Sequence, residues 1–335
     1  MATYKGIKGF KVQSHASDPT ANEGQVWYNT TSNALKYDII GAGAWASGNA
    51  MNRTNGQGNN RGTGTTTAAL AVGGNAPSQY GYTEQYDGTS WTVKNPLNTA
   101  RYAVGTAGTT TAGLAIAGGF ESAPYELPNT EEYDGTSWAE NEDLTDPRAT
   151  GVGCGTQTAA LYSGGNYGTL ISPAWQNSAS NEEYNGTSWS EKNDLNTARN
   201  YSSQFSAGST TAALIAGGSP FPVGAGDLCE QWNGTSWTEV ADLNTVRNYG
   251  GGFGNSTSAL VFGGENPGSS TITDTEQWDG TSWTEVANVT AGRQGMGGAG
   301  LDGTLGISFA GYPPGTSATE EWDGAPAVVK TVTVS

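Results

Sequence analysis

Histidine is almost missing from this chain: His15 is the single one in 335 residues. One imidazole cannot build a copper or zinc site of several histidines, and no second one is available for acid–base chemistry. Cysteine is nearly as scarce. Cys154 and Cys229 lie far apart with no Cys-x-x-Cys between them, so they read as small buried side chains and not as a metal site or disulfide framework. Cations are few as well: 14 Lys and Arg stand against 31 Asp and Glu, a net charge of −17. That balance leaves no electrostatic footprint for nucleic acid or for an anionic membrane. No apolar run reaches the roughly 18 residues of a membrane span, so no membrane insertion is expected. The opening MATYKGIKGFKVQS lacks the apolar core of a signal peptide, and synthesis in a cytosol is the expectation. Gly-x-Ser-x-Gly, P-loop, HExxH and dinucleotide-binding glycine patterns are all absent. His15, beside Ser14 and near Asp18, reads as a loop residue and not as a base.

What the chain has instead is glycine (51 residues), tryptophan (11) and tyrosine (15). Glycine in that quantity suits many short strands and tight turns, and the aromatics supply large apolar faces. These residues are not scattered. YDGTSW at residues 86–91 recurs unchanged at 133–138, and close copies follow as YNGTSW, WNGTSW and WDGTSW. The closing tryptophans, Trp91, Trp138, Trp189, Trp237 and Trp283, stand 46 to 51 residues apart. A glutamate precedes each turn by three residues: Glu84, Glu131, Glu182, Glu230 and Glu276, with Glu320 in a sixth unit. Apolar runs ending in a glycine pair lie upstream (ALAVGG, LAIAGG, ALYSGG, ALIAGG, ALVFGG), and a weaker GISFAG ends at Gly311. Before those come Arg101, Arg148, Arg199, Arg247 and Arg293, with Arg53 a shifted candidate.

Each unit reads as four short strands. The apolar run flanked by glycine is a strand covered on both faces. Glutamate and aromatic, two residues apart, project from one face of the next strand. Asp-Gly is a strong hairpin signal because both residues tolerate positive φ, and Asn satisfies the same need. Tryptophan then opens the return strand and packs between neighbouring sheets. Four strands repeated every 40 to 50 residues predict an all-β propeller. Its arginine and glutamate positions, each costly to bury alone, are expected to pair within every blade.

The combination of Gly-Gly, Glu-x-Tyr-Asp, later Trp and inter-unit Arg resembles the Kelch repeat family over residues 52–324. It departs in a shorter hairpin and in Trp232, Trp278 and Trp322 where tyrosine is usual. At the chain's end Ala327 stands at the tryptophan position, and 328–334 alternate as a strand able to close the sixth unit. Residues 1–50 form a further β segment in which Tyr37-Asp38 and Trp45 echo the repeat. They are expected to make a degenerate first blade of seven, ahead of repeats over 51–335. The alternative is six blades and a separate N-terminal docking hairpin. The stretch SDPTANEGQVWYNTTSNALKYD resembles a hairpin of tail and fibre proteins of tailed bacteriophages, and its following repeats resemble marine-phage structural proteins.

No catalytic residue is expected. Carboxylate pairs such as Glu131-Glu132 and Glu182-Glu183 invite a glycosidase reading, but adjacent strand residues face opposite ways. The first is assigned to the repeated core position and the second to solvent. YDGTSW also differs in spacing from the sialidase Asp box, and one histidine cannot furnish the ligands of a Kelch-type copper oxidase. The acidic stretches 121–132 and 140–146 hold oxygen donors that suit calcium, without an EF-type spacing; a solvated acidic face and no cofactor are expected. Function is placed in the unrepeated loops after each glycine pair, which should gather on one face of the disc. Their aromatics Tyr80, Tyr125, Tyr167, Trp175 and Phe221 would stack on a sugar, bury at a protein interface, or pack their own loops.

The resemblance implies a non-enzymatic virion protein of a tailed phage, a tail, fibre or appendage component made and assembled in the host cytoplasm. Its partners would be other virion proteins, further copies of itself, or a host surface glycan or protein. A capsid decoration protein, and a carbohydrate-binding or carbohydrate-active propeller, are the alternatives.

Overall fold

The computed structural model describes residues 12–17, 26–40, 43–53, 60–76, 79–120, 126–169, 172–205, 207–219, 226–324 and 327–331. All regular elements among them are strands. The chain divides into two compact units, Met1–Gly43 with Gly324–Ser335, and Ala44–Asp323.

Among the described residues the larger unit is a succession of six antiparallel sheets of three or four strands, with two further two-stranded hairpins. The first contains Asn60–Thr65, Ala68–Gly73, Thr83–Tyr86 and Trp91–Lys94; the second, Gly105–Gly108, Gly113–Ile116, Thr130–Tyr133 and Trp138–Asn141. Val152–Thr156, Ala159–Ser163, Asn181–Tyr184 and Trp189–Lys192 make the third. The fourth has three strands, Ala213–Ala216, Cys229–Trp232 and Trp237–Glu239, with the bridges Ser203–Ala216 and Ser209–Ala212 where its first strand would run. Gly251–Asn255, Ser258–Phe262, Thr275–Trp278 and Trp283–Val286 form the fifth. The sixth joins Gly297–Asp302, Leu305–Phe309 and Thr319–Asp323 to Ala44–Gly48 from near the start of the chain.

Six apolar clusters fill the spaces between neighbouring sheets, and one of them closes the sequence. Ala69, Tyr86 and Trp91 of the first sheet pack with Ala299, Ile307 and Phe309 of the sixth. First strands approach so closely at the centre that a Cβ on Gly62 would lie 2.5 Å from the Gly298 carbonyl oxygen, and one on Gly298 would lie 2.4 Å from that of Gly252. Glycine is therefore required there by backbone contact, and an all-β, propeller-like fold results.

Two expectations about the ends need correction. The described strands of residues 1–50 do not form one sheet of their own. Ala44–Gly48 is the outer strand of the sixth sheet, while Gln13–His15, Val26–Asn29 and Ala34–Ile40 pair with Ala327–Thr331 in the smaller unit. Nor does Ala327 close the sixth sheet. Trp45 lies opposite Trp322, 5.3 Å from it and 5.1 Å from Phe262 between ring centroids. An alanine cannot fill that inter-sheet space, so the tryptophan-bearing segment wins the strand edge.

The smaller unit contains the hairpin of Val26–Asn29 and Ala34–Ile40, paired from Val26–Tyr37 to Asn29–Ala34. Asn29 Oδ1 accepts the N–H groups of Thr31 (3.0 Å) and Ser32 (2.9 Å), which shapes the turn. Asn33 completes it with φ 50°.

The YDGTSW turn also differs from expectation. Tyr86 pairs directly with Trp91, so the connection is four residues, and only Gly88 has positive φ (90°). Asp87 is there as an acceptor: its Oδ1 takes the N–H of Thr89 (2.9 Å) and of Ser90 (2.7 Å). These bonds hold the Asp87, Asp134 and Asp279 carboxyls below their ordinary value. Asn185 and Asn233 accept the same pair of bonds at 2.9 Å, so the Asp/Asn exchange preserves a side-chain oxygen and not a backbone conformation.

Candidate functional site

The two ends of the disc are built from different parts of the repeat. At one end stand the YDGTSW turns. At the other, the linkers enter the first strands and the glycine pairs end the second strands, and there the repeated charges meet. Arg101 contacts Glu131 and Arg293 contacts Glu320; Arg148–Glu182 is 2.6 Å, and Arg199–Glu230 and Arg247–Glu276 are each 2.7 Å. All ten side chains are at most 5% exposed. Burial lowers the pKa of Arg101, Arg247 and Arg293, and the adjacent carboxylate opposes that shift.

Each pair has further partners. Arg247 Nη1 donates to the carbonyls of Gly263 (2.8 Å) and Asp274 (2.7 Å), and Glu276 accepts the N–H groups of Asn244 (2.7 Å) and Thr245 (3.1 Å). Arginine thus ties the linker to the turn after the second strand, and glutamate ties the linker to the third. The second residue of that turn is glycine throughout: a Cβ on Gly165 would come 2.5 Å from the Ala149 carbonyl oxygen, and one on Gly264 2.6 Å from that of Asn248. The first residue is less restricted. Ala117 (φ 56°) and Ala310 (φ 58°) occupy it, so the second sheet's pair falls one residue earlier than the written Gly118-Gly119. Glu84 accepts the N–H groups of Asn52 (2.9 Å) and Arg53 (3.1 Å). The first unit's counterpart of Arg101 falls outside the described residues.

The tryptophans staple neighbouring sheets. Trp91, Trp138 and Trp189 donate their indole N–H to Thr319, Thr83 and Thr130 of the preceding sheet, at 2.9, 2.9 and 3.0 Å. Trp45 reaches Thr275 likewise at 3.3 Å. Where the threonine position holds Asn181, the Trp237 indole nitrogen has no partner; where it holds Cys229, Trp283 turns to the Ala241 carbonyl (3.1 Å).

The second glutamate of each pair, expected in solvent, has a partner in two units. Tyr184 donates its hydroxyl to Glu132 at 2.9 Å, and Tyr86 donates to Glu321. Burial first, then these bonds, raise both phenol pKa values. Only Glu183 behaves as a surface group, 3.5 Å from Lys192.

The loop aromatics are placed unevenly. Tyr167 is 43% exposed on Asn166–Thr169, which pairs with Ser172–Asn177 as a separate two-stranded hairpin. Trp175 belongs to the partner strand and Tyr80 to Gln79–Tyr80. Tyr125 and Phe221 lie outside the described residues. The structure adds an aromatic pair that the loop-based reading missed. Tyr201 and Tyr249 stack with centroids 4.0 Å apart at the linker end of the disc. Both have positive φ, 52° and 56°, rare for bulky side chains and found where surrounding structure imposes it. Here Tyr249 donates its N–H to the Tyr201 carbonyl (2.9 Å), and Gly295 donates to that of Tyr249 (2.8 Å). Burial raises both phenol pKa values. The available signal was Arg-Asn-Tyr written twice, at residues 199–201 and 247–249.

Among the described residues no cluster of His, Cys, Asp and Glu is arranged to hold a metal ion. Both cysteines are buried free thiols, pushed up to about 12 by burial.

No family model matches the chain, and no curated protein matches it. Among solved structures it is similar to YjhT, with a TM-score of 0.66 and 12% sequence identity over 86% of this chain and 97% of that one. A likeness at this identity is one of fold, and it agrees with the propeller-like, all-β architecture.

Proposed function

We propose that this chain is a non-enzymatic virion structural protein of a tailed phage, a tail, fibre or appendage component. In this reading the disc presents a recognition or assembly surface, and the smaller unit anchors it. One topological observation carries the proposal. The hairpin Val26–Asn29 with Ala34–Ile40, which resembles that of phage tail and fibre proteins, shares its sheet with Ala327–Thr331. The strands leading into and out of the disc are therefore held by one small separate unit, as suits a display module. The Kelch-like repeat supplies the disc, its repeated charges are occupied in buried pairs, and the unrepeated segments are left to vary. Partners would be other virion proteins, further copies of this chain, or a host surface glycan or protein.

Quantitative mass spectrometry and antibody-labelled electron microscopy of purified particles test this reading. The expected result is a fixed copy number per particle with label at the tail or its appendages. Label over the capsid would instead make it a decoration protein. Absence from particles, with turnover of a glycan by the purified chain, would replace the proposal by a carbohydrate-active propeller.

A further inference from the structure

Five of the seven arginines sit in the repeated pairs, and Arg53 lies over the Tyr82 ring at 5.6 Å. Arg61 has neither arrangement. It belongs to Asn60–Thr65, the first strand of the first sheet, opposite Val72. The matching positions of the second, third, fifth and sixth sheets are Gly105, Val152, Gly251 and Gly297. A long cation thus stands near the axis of the disc where these four sheets have glycine or valine. Arg61 is 8% exposed and its Nε has no hydrogen-bond partner. Among the described residues no carboxylate pairs with it. Burial pulls its pKa down to about 10, and the nearby Tyr162 phenol opposes that shift. The paired arginines show how this chain normally treats a buried guanidinium, so an uncompensated one is a departure that needs a cause.

Its surroundings are polar and incompletely bonded. Gly62, the next residue, gives its carbonyl to Gln204 Nε2 at 3.2 Å, and the same nitrogen donates to Thr106 O (3.1 Å) and Oγ1 (2.6 Å). Gln204 therefore spans the centre beside the strand of Arg61, and its Oε1 remains unbonded. The Tyr162 hydroxyl accepts the Gly151 N–H at 3.0 Å, which leaves its own proton to donate. The Tyr201–Tyr249 stack stands at this same linker end.

We infer that the axial, linker-side end of the disc binds an oxyanion, a carboxylate or phosphate group of a small molecule, with Arg61 as its charge partner. The Tyr162 hydroxyl is a second donor, and the tyrosine stack offers an apolar surface to the remainder of the ligand. In an acidic chain such a ligand is not drawn by net charge, so recognition rests on the local guanidinium. The inference concerns the purified chain and stands or falls separately from the particle reading.

The test uses the full chain in chloride buffer at constant ionic strength, titrated separately with sodium acetate and with inorganic phosphate, with the unfolding midpoint as readout. The expected result is a saturable rise with one of the two anions, and which one identifies the group. Arg61→Met should raise the anion-free midpoint, because it removes an unpaired buried charge, and should weaken the anion response by at least about tenfold. Arg61→Lys should keep part of the response and Lys192→Met all of it. A flat wild-type midpoint with both anions would overturn the inference, and so would an undiminished response in Arg61→Met.

Discussion

The first three sheets and the last three solve the same packing problem with different chemistry. In the first three, the aromatic on the third strand is tyrosine: Tyr86, Tyr133 and Tyr184. In the last three it is tryptophan: Trp232, Trp278 and Trp322. Two of the tyrosines send a hydroxyl to a glutamate of the preceding sheet, Glu321 or Glu132. The tryptophans instead donate to a carbonyl in the first turn of their own sheet, at Thr210 (2.9 Å), Ser256 (3.0 Å) and Gly303 (3.1 Å). The preceding sheet then changes with them. Gln231 and Gln277 donate to the Ser256 and Gly303 carbonyls at 2.6 and 3.0 Å. Tyrosine with glutamate, and tryptophan with glutamine, are alternative ways to leave no polar group stranded between sheets. Two units depart from this pairing: before Tyr133 stands Gln85 and the tyrosine hydroxyl has no partner, and before Trp232 stands Glu183, which lies 3.5 Å from Lys192.

The largest expected effect is the one that both halves share. Arg101→Ala and Arg199→Ala, one from each half, should each destabilise by about 3–5 kcal/mol in denaturant unfolding, because each leaves a buried glutamate unpaired. Unequal losses would show that the halves differ in more than their aromatics. Trp45→Ala should cost about 2–3 kcal/mol through loss of inter-sheet packing, and should increase amide exchange in Ala44–Gly48. No such increase would mean that strand pairing alone closes the sixth sheet.

Within the tyrosine half, Tyr184→Phe should cost about 1–2 kcal/mol, and Tyr133→Phe should stay within about 0.5 kcal/mol of wild type. Gln85→Glu places at that position the carboxylate that accepts the tyrosine hydroxyl in the other two units, and should make Tyr133→Phe measurable in that background. The smallest effect concerns pH. Folding raises the Tyr86 and Tyr184 pKa values, so these groups contribute stability that is fully present below the ordinary tyrosine value of about 10. That contribution declines as pH rises from there toward the raised values. A double Tyr→Phe variant at 86 and 184 should show a shallower alkaline decline, measured by unfolding midpoints across that range.

Most of this architecture was legible because a repeat writes the same physical requirement several times. Short apolar runs, turn glycines and evenly spaced tryptophans specify strands and sheets locally. Contacts between units were less legible, since nothing local distinguishes their partners. Residues 328–334 alternate well enough to be a closing strand, and only the space between Phe262 and Trp322 selects Trp45 from near the other end of the chain. The roles of Glu132 and Glu321 likewise depend on a tyrosine in another sheet. In the turn, Asp and Asn suggested a backbone conformation where the structure uses their oxygen. The site was harder still. Unrepeated loops carry the usual sequence signal for a binding surface, and two of their five singled-out aromatics fall outside the described residues, while Tyr201, Tyr249 and Arg61 sit within or beside repeated segments and differ only in residue identity.

The central claim is that the five paired arginines hold the disc together and that Arg61 is available for a ligand. Arg199→Met and Arg61→Met, compared by chemical denaturation in the same anion-free buffer, test it most directly. The account predicts opposite signs: Arg199→Met loses about 3–5 kcal/mol, and Arg61→Met gains stability. A loss of similar size in both variants would contradict it, because Arg61 would then be one more structural arginine.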